Sequence, residues 1–400
     1  MTPLALSAAI GACAPPAAAP PSAPTRTAGE PDIRIGIMVG ADQVTIGGDG
    51  LVVGYSHGEA VARGETRITT SGQGIRTNTG ERAQRFTFVN QTPGRFLTVG
   101  RTAYRGAVEV YARGGSITVV NELSLEDYLI GVVAVELGSR TDRERAALDA
   151  QAVVARTYAL KNMGKLRSQG FDLRAGVSDQ AYGGESSETE LARAAVQATV
   201  GLVVTYQGNL ISPFYSSTCG GSTASPEESF RTVTAVPYLR PVSDAHGSGY
   251  YCDISPRFRW SVSWDGQTLA DILRRTVTRT MGVDAEALTD INGVSVRRTG
   301  PSGRILEARI EVAGGEIPVY GPDIRSVFAT REGAMLQSTF FRFQVERSDN
   351  GLGRVVAEGR GAGHGVGMCQ WGAIGRARAG QSMEQIVTTY FPGTRIERWY

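Results

Sequence analysis

The sequence predicts an α+β fold with much antiparallel sheet, and two observations lead to this prediction. Between Ile33 and about Val120, short runs of β-branched or alternating apolar residues are separated by glycine and asparagine, as is typical of antiparallel strands. Beyond that region, apolar residues recur at helical spacing. The predicted strands are IRIGIMV, QVTIGG, GLVVGY, TRITTSG, QRFTFVN, RFLTVG, AVEVYA and SITVV.

Two consecutive helices are predicted after these strands. The first is SLEDYLIGVVAVEL, for which Ser124 is the expected N-cap and Gly138 the end. Thr141 and Glu144 form a T-x-x-E capping box for the second, which we expect over residues 142–163. Further helices are predicted over residues 188–198, 268–278 and 383–390, and a strand at GLVVTYQ.

Length and composition limit the organisation and the class of the protein. The chain has 400 residues, more than the roughly 100–200 of a typical domain. Lys plus Arg number 41 against 39 acidic residues, a balance that argues against a nucleic-acid-binding protein. No window of about 18 apolar residues occurs, so we expect no membrane-spanning helix.

We divide the chain into four segments. Residues 1–31 form a leader and a Pro/Ala-rich tether, and residues 32–120 form the β-rich region. Residues 121–210 contain the first helices and form the core. Residues 211–400 complete the same domain and its cleft.

The N-terminal residues resemble a bacterial lipoprotein signal. The apolar run LALSAAIGAC ends in a small-small-Cys pattern at Cys13, although it lacks the basic residues that usually begin a signal peptide. The resemblance implies export, acylation of Cys13 and a lipid anchor facing the periplasm. No aspartate follows Cys13, which favours the outer membrane. The alternative is an unstructured leader with an incidental cysteine.

One glutamate is the candidate catalytic residue. Leu125, Leu129, Val132 and Glu136 fall on one face of the first helix, so a carboxyl group continues an apolar stripe into the last turn. Burial and the negative end of the helix dipole both disfavour the charged form of such a group, and a general acid must be protonated. The alternative is a glutamate that points into solvent beyond Val135.

Five blocks that occur in order along the chain point to a known family. They are LEDYLIGVVAVELG, ALDAQAVVARTYAL, SDQAYGGE, FYSSTCGGSTASPEESF and GAGHGVGMCQWGA. Together they resemble the SpoIID/LytB family of stage II sporulation proteins D and amidase enhancers, over about Ile33 to Tyr400. The resemblance implies that the helices and the β-rich part form a glycan-binding cleft. It also implies that Glu136, the glutamate of V-V-x-x-E, is catalytic.

The family implies a peptidoglycan lytic transglycosylase. Such an enzyme cleaves the MurNAc-GlcNAc bond of peptide-stripped glycan strands and leaves 1,6-anhydroMurNAc ends. One carboxyl group is enough, because the 6-hydroxyl of the muramic acid is an intramolecular nucleophile. The LytB branch implies an alternative, a non-catalytic glycan-binding enhancer of an N-acetylmuramoyl-L-alanine amidase. The expected partners are therefore glycan strands and a cell-wall amidase, and no cofactor is expected.

The matching blocks also imply the residues that line or brace the cleft. They are Gln151, Arg156, Tyr158, Gln180, Tyr182, Ser217, His364 and Gln370. For Arg156 the alternative is a structural ion pair with Asp127 or Glu136, since a buried guanidinium needs partners. For Gln180 and Tyr182 the alternative is an ordinary turn.

The stretch GRGAGHGVGMCQWGAIG does not fit a nucleotide-binding loop. Only about 25 residues follow Gly375, too few for a βαβ unit, and the stretch has no Gly-Lys-Ser/Thr. Alternating glycines instead let another segment of backbone, or a sugar ring, approach closely. We expect this stretch to form one wall of the cleft, with His364 within about one sugar's width of Glu136.

Three further cysteines, Cys219, Cys252 and Cys369, match no zinc-finger or zinc-ribbon spacing, so we assign no metal site. Some family members carry a His/Cys cluster beside Q-x-Y-x-G, but the matching positions here hold neither residue. In an oxidising periplasm we favour a disulfide between Cys219 and Cys252. The alternative is a zinc site that includes His364 or His246.

Overall fold

The computed structural model describes residues 28–231, 234–348 and 351–400. Cys13 and the predicted lipobox lie outside the described residues. The fold is α+β, as predicted, with antiparallel sheets against which helices pack. Within the described ranges, no helix is both long enough and apolar enough to cross a membrane.

The predicted β-rich region forms two antiparallel sheets that share one hydrophobic core. One sheet has the order β1-β12-β11-β8-β3-β4, extended beyond β1 by the short strand Leu173–Arg174, which pairs with it in parallel. The other has the order β10-β9-β2-β5-β6-β7. Alternate side chains, such as Phe86 and Phe88, are fully buried, as expected for strands with one face on a core. The strands are β1 (Asp32–Ala41), β2 (Gln43–Gly48), β3 (Val52–Ser56), β4 (Glu59–Arg63), β5 (Thr66–Ser71), β6 (Gly74–Thr77), β7 (Arg82–Ala83), β8 (Arg85–Asn90), β9 (Leu97–Val99), β10 (Thr102–Tyr104), β11 (Ala107–Arg113) and β12 (Ser116–Ser124).

Three helices and three short strands follow in the central part of the chain. They are α1 (Leu125–Leu137), α2 (Arg145–Asn162), β13 (Leu173–Arg174), α3 (Glu190–Ala198), β14 (Leu202–Tyr206) and β15 (Asn209–Leu210). The side chain of Ser124 caps α1, as predicted, by accepting from the backbone N–H of Asp127 at 3.3 Å. The N-terminal sheet thus leads directly into the helical core, because β12 ends at the residue that caps α1.

The second and third helices begin later than the sequence indicates. The predicted capping box is present, and the Glu144 carboxylate accepts from the backbone N–H of Thr141 at 2.7 Å. It caps a single 3₁₀ turn, Asp142–Glu144, and the α-helix starts only after this turn. In α3 the cap is Thr189, whose side chain accepts from the N–H of Ala192, so the helix starts two residues after the predicted position.

Residues 259–360, here called the C-terminal unit, form a core of their own within the predicted 211–400 segment. The preceding loops contain β16 (Tyr215–Ser216), α4 (Pro226–Ser229), β17 (Ala245–His246), β18 (Gly249–Tyr250) and a 3₁₀ turn, Tyr251–Ile254. The unit has the sheets β19-β24-β23 and β20-β21-β22, and Trp264 and Phe328 are fully buried in its core. Its elements are β19 (Arg259–Asp265), α5 (Gly266–Met281), β20 (Gly293–Thr299), β21 (Ile305–Val312), β22 (Gly315–Tyr320), α6 (Asp323–Val327), β23 (Phe341–Ser348) and β24 (Gly351–Arg360).

The last residues return to the helical core. They form β25 (Met368–Cys369), α7 (Gln370–Arg378), α8 (Met383–Tyr390) and β26 (Arg395–Arg398). β25 pairs with β16 in parallel, β26 pairs with β14, and both α7 and α8 pack on α2. The final helix coincides with its prediction, whereas α7 is absent from the sequence-based prediction because Gly372 and Gly375 lower the helix propensity of this stretch.

Candidate active site

Glu136 lies in the last turn of α1, is partly exposed and accepts hydrogen bonds on both carboxylate oxygens. Its Oε1 accepts from the backbone N–H of Ala181 at 3.0 Å and from the hydroxyl of Tyr215 at 3.2 Å. Its Oε2 accepts from the side-chain amide of Gln370 at 2.9 Å. The three donors belong to the loop after β13, to β16 and to α7, so tertiary contacts orient the carboxyl group.

Glu136 lines a cleft of 560 Å³. Other residues that line it are Tyr158, Asp179, Ser217, Phe230, His364 and Gln370. The structure therefore brings together five of the predicted site residues from α1, α2, the loop after β16 and the segment around β25. A second cavity, of 580 Å³, lies on the β19-β24-β23 sheet and shares no lining residue with this cleft.

The alternating glycines let the chain run close beside other segments at the cleft. Gly361, Gly363, Gly365 and Gly367 have φ values of 79°, 99°, 77° and 73°. Only glycine adopts this left-handed region readily. A Cβ on Gly365 would collide with the Arg304 guanidinium, and one on Gly367 would collide with the Phe214 carbonyl. The close approach of backbone that the sequence predicts is therefore present.

His364 faces the cleft as a neutral imidazole. Burial lowers its pKa to about 4, although a hydrogen bond to the Tyr215 backbone acts in the opposite direction. Its Nδ1 accepts from the backbone N–H of Val366 at 3.1 Å, which leaves the ring proton on Nε2. The ring packs against Phe214 and Phe230, with centroids 6.0 and 5.3 Å away. At neutral pH His364 is therefore uncharged, and its N–H donates to the Tyr215 backbone.

Tyr158 and Asp179 form a polar patch of the cleft wall. The Tyr158 hydroxyl donates to Asp179 Oδ1 at 3.2 Å, and the Lys165 ammonium lies 2.6 Å from the same oxygen. Only 2% of the Asp179 side chain is exposed, and its carboxylate forms an ion pair with Lys165. Burial raises the pKa of Tyr158, which keeps its hydroxyl protonated.

Arg156 does not contact the cleft, and its predicted role in substrate binding is wrong. It is fully buried, and its Nε and Nη2 donate to the two carboxylate oxygens of Glu126 at 2.7 and 2.6 Å. The structural ion pair that was the alternative is present, but its partner is neither Asp127 nor Glu136. A guanidinium that is 0% exposed has no surface to offer a ligand.

Gln151 and Gln180 are also fully buried, and neither lines the cleft. The side-chain amide of Gln180 donates to the Tyr215 hydroxyl at 3.3 Å, so it braces a residue that contacts Glu136. Gln151 has no hydrogen-bond partner for either amide atom among the described residues.

Tyr182 is likewise a packing residue. Its ring lies 4.9 Å from that of Tyr128, and its hydroxyl donates to the Asn121 side chain at 2.8 Å. Its edge rests against Gly131 of α1, where a Cβ would lie 2.8 Å from the ring. It connects α1 to the N-terminal sheet and does not line the cleft, so its predicted contact with substrate is wrong.

Sequence reasoning misses two of the three groups that hold Glu136. Tyr215 lies in the family block FYSSTCGGSTASPEESF, two positions before Ser217. A single sequence nevertheless contains no signal that its hydroxyl lies close to Glu136. The second group, the N–H of Ala181, is a backbone donor and is independent of residue type. Burial raises the pKa of Tyr215 well above its usual value, so its hydroxyl remains a donor.

The predicted disulfide is not formed. Cys219, Cys252 and Cys369 are free and buried, and the Sγ atoms of Cys219 and Cys252 lie 3.6 Å apart, whereas a disulfide requires about 2.0 Å. The two histidines of the alternative zinc site do not join them. His364 packs against phenylalanine rings, and His246 stacks on Tyr251 at 4.3 Å.

Comparison with known proteins identifies the family. A sequence model described as stage II sporulation protein matches residues 113–206, which include α1 and Glu136. Stage II sporulation protein D of Bacillus subtilis is 30% identical over 318 residues, which cover 74% of this chain and 83% of that protein. The chain belongs to the stage II sporulation protein D family. The predicted SpoIID/LytB resemblance is thereby confirmed.

Other relatives of this family member extend the comparison. A protein of Brachyspira hyodysenteriae, itself uncharacterised, is 31% identical over 304 residues, or 75% of this chain and 74% of that protein. The amidase enhancer of Bacillus subtilis is 28% identical over 67% of this chain, but the match spans only 40% of that longer protein. A model for a domain of unknown function matches residues 245–367, which contain the whole C-terminal unit.

Proposed function

We propose that this protein acts on the bacterial cell wall as a peptidoglycan lytic transglycosylase, with Glu136 as its acid and base. The observation that carries the proposal is a partly exposed carboxyl group oriented on both oxygens at a cleft of 560 Å³. The neighbouring cleft carboxylate, Asp179, is paired with Lys165. A single available carboxyl group is what intramolecular attack by a substrate hydroxyl requires.

In the proposed reaction, protonated Glu136 donates its proton to the glycosidic oxygen while the bond from that oxygen to C1 of MurNAc breaks. The 6-hydroxyl of the same MurNAc attacks C1 and returns its proton to Glu136. No water is consumed, and the product has a 1,6-anhydro ring. Tyr215, Gln370 and the Ala181 N–H stabilise the carboxylate between the two proton transfers. Ser217 offers its hydroxyl to the sugar, and the Tyr158 oxygen, whose proton is donated to Asp179, remains available as an acceptor.

The proposal implies a place in the cell envelope, where peptidoglycan is located. Export with acylation of Cys13 would anchor the protein to a membrane surface, with the outer membrane as the proposed site. Labelling the full chain in cells with a radioactive fatty acid tests the anchor, and Cys13→Ser should abolish the label. Label that persists in this variant would contradict lipidation at Cys13.

The activity is tested with amidase-treated glycan strands and mass spectrometry of the products. We expect the unmutated protein to release fragments with 1,6-anhydroMurNAc ends, and Glu136→Gln to lower their rate of release at least about 100-fold. Glu190→Gln is the matched control, because that side chain is 82% exposed on α3, and it should retain full activity.

The alternative, a glycan-binding enhancer of an amidase, gives a different result in the same assay. It predicts no fragments from the protein alone, but faster release of stem peptides when an N-acetylmuramoyl-L-alanine amidase is added to intact peptidoglycan. The relation to the amidase enhancer supports this alternative. Reducing ends without anhydro rings would indicate hydrolysis and would contradict the transglycosylase proposal.

A further inference from the structure

Three cysteines and one aspartate converge in the core, outside the cleft. Cys219, Asp244, Cys252 and Cys369 are fully buried, and their ligand atoms all lie within 4.8 Å of one another. They come from the loop after β16, the loops on either side of β17 and β18, and β25. Segments that are far apart in the sequence therefore place three sulfurs and one carboxylate around one point.

We propose that these four side chains bind a zinc ion through three thiolates and Asp244 Oδ2. Two thiolates bound to zinc at 2.3 Å with tetrahedral angles lie about 3.8 Å apart. The observed separation of 3.6 Å between the Cys219 and Cys252 sulfurs is close to this value. Three sulfurs favour zinc over magnesium or calcium, which prefer oxygen ligands.

The surrounding hydrogen bonds orient the four ligands. Asp244 Oδ1 accepts from the Tyr390 hydroxyl at 2.7 Å and from Arg376 at 3.1 Å, while Oδ2 faces the Cys219 thiol at 3.8 Å. Cys369 Sγ accepts from the backbone N–H groups of Cys219 and Gly372, at 3.1 and 3.2 Å. Such outer contacts typically hold metal ligands in position and stabilise thiolate charge.

The charges near the cluster also favour a bound cation. Three thiolates and one carboxylate carry −4, zinc reduces this to −2, and the adjacent Arg376 and Arg304 supply the balancing +2. Arg304 is fully buried and donates to the Cys219 carbonyl at 2.8 Å, yet it has no acidic partner within 4.0 Å among the described residues. An anionic metal centre would explain this otherwise uncompensated guanidinium.

Zinc binds thiolates and a carboxylate rather than their protonated forms. Binding should therefore release protons and weaken as the pH falls.

The position of the ion gives it a structural role beside the cleft. Cys369 directly precedes Gln370, which donates to Glu136, and Cys219 lies two residues after Ser217. The ion would therefore connect the start of α7 to the neighbouring loop after β16, and both segments contribute lining residues to the cleft. Protein side chains would occupy all four coordination positions of the ion, as in zinc sites that stabilise a fold rather than bind substrate.

The test measures metal in the purified full chain by plasma mass spectrometry. We expect about one zinc per chain in the unmutated protein and in Cys13→Ser, and loss of the zinc in Cys252→Ser. Asp244→Asn should lower zinc affinity at least about 10-fold. Cobalt added to metal-free protein should produce the thiolate charge-transfer and tetrahedral d–d absorption bands, a readout that does not depend on activity.

Two outcomes would overturn the proposal, and both are measured on the unmutated protein. One is protein that stays metal-free after incubation with zinc, although Cys219, Cys252 and Cys369 all titrate as free thiols once it is denatured. The other is a thiol titration under denaturing conditions that reveals a Cys219–Cys252 disulfide in place of the metal. Glu136→Gln should keep its zinc, so failure of the zinc proposal and failure of the proposed activity are distinguishable.

Discussion

Glu136 receives its hydrogen bonds from residues 45, 79 and 234 positions away in the chain. At the scale of single residues, the site is therefore a product of long-range contacts. The apolar stripe of α1 places the glutamate correctly at the end of the helix, but the carboxyl group meets polar donors from elsewhere. The environment of His364, also assembled from distant segments, keeps its imidazole uncharged.

Because of His364, the free energy of unfolding should depend on pH between about 6.5 and 4. Its folded-state pKa of about 4 lies below the usual value of about 6.5, so the unfolded chain takes up the proton first as the pH falls. The contribution of neutral His364 to the free energy of unfolding is fully present above pH 6.5 and is lost as the pH falls toward 4. Each pKa unit corresponds to about 1.4 kcal/mol, and we expect a loss on the order of 2 kcal/mol because the ring is partly exposed.

Urea unfolding at pH 7.5 and pH 4.5 measures this effect. His364→Asn retains an acceptor for the Val366 N–H and should lose less stability between the two pH values than the unmutated protein. His57→Asn, at an exposed turn, is the control and should behave like the unmutated protein. Equal losses in all three proteins would show that His364 does not cause the acid sensitivity.

At the scale of elements, α7 depends on its surroundings more than on its own sequence. Its N-cap is the Cys369 side chain, and near its other end Arg378 donates to Glu144 at 2.6 Å. Gly375 faces the Tyr251 carbonyl so closely that a Cβ would collide with it. The glycines that weaken the helix in isolation are therefore the residues that let it pack.

The substitution Gly375→Ala distinguishes the effect of helix propensity from the effect of close packing. Helix propensity alone predicts a gain of about 1 kcal/mol, whereas the collision with Tyr251 predicts a net loss of about 1–3 kcal/mol. We expect the loss, measured as a lower urea midpoint with an unchanged slope. Gly314→Ala, where a Cβ would meet nothing within 4 Å, should change stability little. A stabilised Gly375→Ala would contradict the packing argument.

At the scale of the whole molecule, the described residues contain three large hydrophobic clusters and a small fourth one of Tyr111, Val120 and Phe171. One lies between the N-terminal sheets, one surrounds α1 and α2, and one belongs to the C-terminal unit. The unit meets the helical cluster partly through polar contacts. Glu228 accepts from the Ser302 N–H at 3.0 Å, and Trp260 Nε1 donates to the Gly361 carbonyl at 3.0 Å.

We expect the C-terminal unit to open as a separate cooperative segment, because its core is distinct from the helical one. Native-state hydrogen exchange in increasing urea should show one common opening free energy for α5 and its sheets, lower than that of α1 and α2. A single opening event shared by both regions would contradict this expectation. Exchange of the exposed β4 edge strand serves as the fast reference.

Local patterns in the sequence were sufficient for the fold class, the β-rich region and most helices. The caps at Ser124 and Thr141 are present as predicted, because capping depends on residues within one turn. The apolar face of α1 and the family blocks were likewise sufficient to select Glu136. Sequence alone did not separate Arg156 and Tyr182, whose polar groups have partners in the core, from the residues that line the cleft, because a helix or loop pattern does not reveal such partners.

The sequence by itself determined the local elements, the family and the carboxyl group proposed to act. Only the tertiary structure decided which groups donate hydrogen bonds to Glu136 and that Arg156 forms its ion pair with Glu126. It also decided that three cysteines from distant segments lie around Asp244. The physical reason is the range of the interactions. Caps and amphipathic faces arise between residues a few positions apart, whereas these hydrogen bonds and sulfur contacts form only after β16, α1 and α7 have packed together.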